Sequence, residues 1–132
     1  MYVIIIEAPI DVFAYGPFML PERARTWGER MSAMLPSADH TIRFCEVSTP
    51  FDITDQMPAL ARSAAPAVHR GRGGDRQAAG FVVLLTEGDI AGVVGAFTAR
   101  DRATEWWDTQ RPALGHGVGA AVLPIVSPVI RN

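Results

Sequence analysis

The chain repeats itself. Shifted by 79 positions, residues 2–50 lie on 81–129 without a gap, and nine pairs are identical: Val3/Val82, Gly16/Gly95, Phe18/Phe97, Arg23/Arg102, Ala24/Ala103, Trp27/Trp106, Leu35/Leu114, Val47/Val126 and Ser48/Ser127. Others are conservative, such as Tyr2/Phe81 and Glu22/Asp101. Self-similarity on this scale points to a duplicated supersecondary unit. It constrains the fold more than composition does, because both halves must then use the same succession of elements.

Each half reads the same way. "YVIII" and "FVVLL" are continuous apolar runs rich in β-branched residues, which predicts strands buried on both faces. Turn signals follow, "EAPID" and "TEGDI", with Pro9 and Gly88 at matching positions. A second strand, "VFAYGPF" or "AGVVGAF", completes an antiparallel hairpin. Gly16 and Gly95 stand where the strand turns towards a helix and a side chain would crowd the bend.

The helices come next. Ala24, Trp27, Met31 and Leu35 fall on one helical face, and Ala103, Trp106 and Gln110 follow it in the second half until Pro112 ends the helix. Thr98 is the expected N-cap of the second helix, with Asp101 three residues on. A third strand closes each half, "TIRFCEV" and "GAAVLPIV". The expected fold is therefore α+β: a tandem duplication of a ββαβ unit, with antiparallel sheets, one main helix per unit and a pseudo-twofold. Its parts are a first unit at 1–50, a connector at 51–80 with a short helix and a Gly/Arg-rich loop, and a second unit at 81–132, all in one compact domain.

Of 132 residues, 48% are hydrophobic and 20% charged, as in a globular protein, and the net charge of −2 gives no overall field for nucleic acid or an anionic membrane. All twelve basic residues are Arg, a sign of a GC-rich genome. No apolar run approaches the roughly 18 residues that span a bilayer, and "MYVIIIEAPI" lacks the basic start of a signal peptide. The expected location is the cytoplasm of the producing or host cell. The single cysteine, Cys45, lies in "IRFCEV" and reads as a structural thiol.

Few residues offer chemistry. "GHGVGAA" at 115–121 lies between a helix and a strand, the reverse of a dinucleotide loop, and reads as a connection. His40, His69 and His116 lack the spacing of metal ligands. Asp101, Glu105 and Asp108 alternate with Arg100, Arg102 and Arg111, as on a solvated face. "HRGRGGDRQ" carries Arg70, Arg72 and Arg76; residues 62–76 hold four Arg against one Asp and could bind phosphate or RNA. Trp107 follows Trp106 directly, about 100° around the helix, so the two cannot share one face. Either Trp107 is partly exposed, an anchor for a partner with Asp108 on its polar rim, or it fills a gap left by smaller neighbours; the first is the reading taken for the site.

The series "YGPF…RARTW…EVSTP" resembles small uncharacterised ββαβ proteins of tailed phages and their high-GC hosts. It is also faintly similar to sporulation-related repeat domains, which carry Gly-x-Phe before an Ala-rich helix. Those domains are exported to bind peptidoglycan, a function not carried over to a chain without an export signal. The phage resemblance implies a fold and a setting, not an activity. With no catalytic residue, cofactor or metal site assigned, the expectation is a non-enzymatic protein-interaction module. It would be a phage or mobile-element accessory factor that binds a host or structural protein, or itself, through Trp107 and Asp108. Two alternatives stay open: a nucleic-acid-binding module using Arg70, Arg72 and Arg76, and a small enzyme with a site between the two units.

Overall fold

A computed structural model describes residues 1–8, 11–34, 40–50, 68–69, 78–111 and 117–128. The elements run β1 (Tyr2–Glu7), β2 (Val12–Phe18), α1 (Pro21–Met34), β3 (Thr41–Ser48), β4 (Val68–His69), β5 (Phe81–Glu87), β6 (Asp89–Phe97), α2 (Arg100–Gln110) and β7 (Gly119–Val126). The strands are ordered β2-β1-β3-β6-β5-β7-β4, with a further pairing of β2 to β7 that closes six of them into a ring. β7 has room for three neighbours because its partners divide its length. Ala121 and Val122 meet β4, while Ile125 and Val126 meet β2.

The molecule is thus a closed six-stranded mixed β-barrel, mostly sheet, with two helices on its outside. This corrects the expected tandem ββαβ duplication with antiparallel sheets, one main helix per unit and a pseudo-twofold. The hairpins β1–β2 and β5–β6 are antiparallel, but two parallel pairings fuse the halves: Val47 with Val93 and Ser48 with Val94, and Ala14 with Ile125 and Tyr15 with Val126. Closure satisfies the backbone groups that open sheet edges would leave unpaired.

The continuous apolar runs follow from this architecture. Strand residues alternate between faces, and here both faces are dry. Val3 and Ile5, Val82 and Leu84, and Leu123 and Ile125 face the same inner core, joined by Ala14 and Val93. The alternate residues face outward under a helix. Ile4 and Ile6 lie under α1 with Phe18, Ala24 and Trp27. Phe81, Val83 and Leu85 lie under α2 with Ala103 and Trp107. Arg43 and Cys45 share the inner face of β3. Burial pushes the Cys45 thiol up from its ordinary value, with Glu7 reinforcing the shift and Arg43 opposing it.

Gly16 and Gly95 hold strands together closely, rather than marking the bend itself. Each sits at a break in hairpin register. A Cβ on Gly95 would lie 2.9 Å from the Phe81 carbonyl oxygen, and one on Gly16 3.2 Å from that of Tyr2. The expected Thr98 cap is also corrected. The N-cap of α2 is Ala99, with no side-chain hydrogen bond, and Asp101 alone supplies negative charge to the first turn. No helix among the described residues is long and apolar enough to cross a membrane.

Candidate functional site

Of the residues proposed from sequence, Trp107 and Asp108 are described. Trp107 has no exposed surface and is the largest fully buried side chain, which overturns its reading as a partly exposed anchor. The helix is rotated from the expected face. Ala103 and Trp107, four residues apart, point into the core, and Trp106 stands at the flank, half-buried. Asp108 is exposed, its Oδ1 3.9 Å from the Arg111 Nε. Arg70, Arg72 and Arg76 lie outside the described residues, as do His116, Pro112, Leu35 and the predicted connector helix. Among the described residues, no three His, Cys, Asp or Glu side chains lie together as a metal site would require. The space between the two halves, proposed for an enzyme site, is the apolar inner core.

A cleft lies instead beside α1. Its volume is about 540 Å³, and it is lined by Phe18, Glu22, Arg23, Thr26, Trp27, Arg30 and Pro128. The helix supplies five of these at positions 22, 23, 26, 27 and 30, a single stripe at 3.6-residue spacing. Phe18, the last residue of β2, and Pro128, two residues past β7, come from strands paired to each other by barrel closure. The cleft therefore depends on the pairing of β2 with β7.

Trp27 is the floor. It packs on Phe18 and Tyr15, with ring centroids 5.8 and 5.0 Å away, and is only 8% exposed. Its indole Nε1 is itself buried and has no acceptor among the described residues. A buried donor without a partner costs on the order of 1–3 kcal/mol. Arg23 and Arg30 flank Trp27 on the same stripe, four residues before and three after. Both are exposed, and neither forms an ion pair among the described residues. Thr26 is held at its Oγ1, which donates to the Glu22 carbonyl at 2.8 Å. Met19 and Leu20, 72% and 53% exposed, continue the apolar surface from Phe18 around the β2–α1 corner.

The flank of α2 is finished differently. The Trp106 Nε1–H donates to the Pro50 carbonyl at 3.0 Å, so the chain leaving β3 covers that indole. Arg100 donates to the Val122 carbonyl at 3.1 Å and lies over the Phe81 ring. Arg102 and Arg111 each stand 3.9 Å from a carboxylate one turn away.

The sequence reading missed the α1 site because "RARTWGER" looks like any amphipathic stripe. One signal was present in it: Arg23 and Arg30 bracket the helix's only tryptophan. The other half of the cleft comes from Pro128, which no local pattern connects to α1. Comparison of the chain with families of related sequences, with characterised proteins and with solved structures finds no match, so the resemblance to phage ββαβ proteins rests on its short motifs alone.

Proposed function

We propose that the protein is a non-enzymatic interaction module that docks a protein partner in the cleft between α1 and Pro128. The observation that carries this reading is Trp27, an aromatic floor flanked by Arg23 and Arg30, neither of which forms an ion pair among the described residues. Trp and Arg are the side chains most often found at the energetic centre of protein interfaces. A cleft of a few hundred Å³ with an apolar floor and a few polar groups suits a short segment of a partner. Met19 and Leu20 supply apolar surface beside it.

Panning a random peptide library displayed on phage over the intact protein tests this reading. Thr26→Trp fills the cleft from an exposed helix position and serves as the control surface. Peptides enriched on the wild type and not on Thr26→Trp are the expected result. Equal enrichment on both, or none, overturns the reading.

A further inference from the structure

Resting on that reading, we infer that the partner segment is extended and acidic, with two carboxylate side chains three residues apart. The molecule itself supplies a pattern for half of this. At α2 the flanking Trp106 N–H is satisfied by the main-chain carbonyl of Pro50. At α1 the flanking Trp27 N–H has no acceptor and faces no such covering chain among the described residues. At α2 a main-chain segment at Pro50 covers the Trp106 flank, and a partner main chain laid along the α1 cleft would cover the corresponding flank.

The arginines set the rest. Arg23 and Arg30 are seven residues apart, about 10.5 Å along a helix. A polyproline-type segment repeats every three residues and rises about 9 Å in doing so, which places side chains i and i+3 on one side at nearly the spacing of the two guanidiniums. Arginine grips carboxylates in planar, two-pronged pairs. A chain terminus provides one carboxylate and leaves one arginine unmatched, so side-chain carboxylates are the better fit. The residues between the acids lie over the Trp27–Phe18 floor, where apolar groups and proline suit the aromatic surface. Glu22 on the same rim disfavours a continuous phosphate backbone, which would set one of its phosphates against that carboxylate.

The test uses the intact protein, labelled with nitrogen-15 so that each indole N–H gives its own signal. The probe is the capped peptide Glu-Pro-Leu-Glu-Pro, with Gln-Pro-Leu-Gln-Pro and the adjacent-acid isomer Glu-Glu-Pro-Leu-Pro as comparisons. The expected result is saturable binding of the first peptide that shifts the Trp27 indole signal. Binding weakens at least tenfold for the Gln peptide, about fivefold for the isomer, and about tenfold in Arg23→Gln or Arg30→Gln. Both arginines are exposed, so these variants fold. Peptides bound equally with Glu or Gln, yet blocked by Thr26→Trp, overturn the acidic partner and leave the docking reading standing. Peptide binding that Thr26→Trp does not weaken overturns both. Inorganic phosphate or an oligonucleotide that shifts the Trp27 signal at lower concentration than the peptide overturns the inference in favour of a phosphate ligand. So does a concentration-dependent dimer, abolished by Thr26→Trp, in favour of a second copy of this chain.

Discussion

The two helices lie on the same barrel and treat their tryptophans in opposite ways. α2 turns Trp107 fully into the core, and the neighbouring Trp106 is roofed by the chain at Pro50. α1 has Gly28 where α2 has Trp107, each four residues after a fully buried alanine. A Cβ on Gly28 would come 3.4 Å from Ile4, so α1 settles against β1 by its backbone. Its one tryptophan stands at the flank and floors an open cleft. The α2 side is closed by its own residues, and the α1 side is left with an aromatic surface and two arginines that form no ion pair among the described residues.

Stability measurements can break this comparison. Trp107→Ala should cost about 3–5 kcal/mol in urea unfolding, since it leaves a closed cavity between α2 and β5. Trp27→Ala should cost clearly less, because the space it vacates opens into the cleft. Equal losses would mean that both tryptophans are simply core and that the α1 cleft has no separate character.

The strand beneath α2 should be as intolerant as the helix above it. Gly95→Ala puts a Cβ 2.9 Å from a carbonyl oxygen and should cost about 1–3 kcal/mol by the same assay. Gly92→Ala, on the same strand, meets nothing within 4 Å and should change stability by less than about 0.5 kcal/mol. A tolerant Gly95 would show that the register break there is adjustable.

A finer discrimination comes from the indole donors. Trp106→Phe removes a hydrogen bond and leaves the Pro50 carbonyl without its donor, for an expected loss of about 1 kcal/mol beyond the change in packing. Trp27→Phe removes a buried donor that has no acceptor, so the polar part of its change should be neutral or stabilising. Thermal midpoints of the two variants, each compared with wild type, check the sign.

The smallest effect is a pH dependence confined to the α1 side. Tyr15 packs against Trp27, and burial pushes its phenol above its ordinary value of 10.0. The folded state therefore holds this proton more tightly than the unfolded state. The contribution is complete below the unfolded value and is lost as pH rises through the folded one. Stability should fall more steeply above about pH 10 in wild type than in Tyr15→Phe. Parallel pH profiles would mean that the Tyr15 phenol holds its proton equally in the folded and unfolded states.

Much of the local structure was legible. The apolar runs at 2–6 and 81–85 announced strands dry on both faces, and the alanine-to-aromatic steps announced helices that cover them. Asp101 stands in the first turn of α2, as its place in the sequence suggests. The rotation of α2 was not legible, because Ala103 forms a helical face with Trp106 at three residues or with Trp107 at four, and both spacings suit a helix. The repeat at offset 79 predicts two ββαβ units in one domain and leaves open how their strands pair with each other. Its identical residues are mostly packing residues, and these record which side of an element is apolar without recording which strand lies next to it.

What the sequence determined by itself is therefore the set of elements and the dryness of their faces, since both follow from local periodicity and burial. Only the tertiary structure decided that the barrel closes, because the β2–β7 and β3–β6 pairings are made by backbone groups that every residue except proline carries. The same closure brings Pro128 to Trp27 and so forms the cleft. It also fixes which tryptophan is core, because the strands beneath each helix determine how far its side chains must reach.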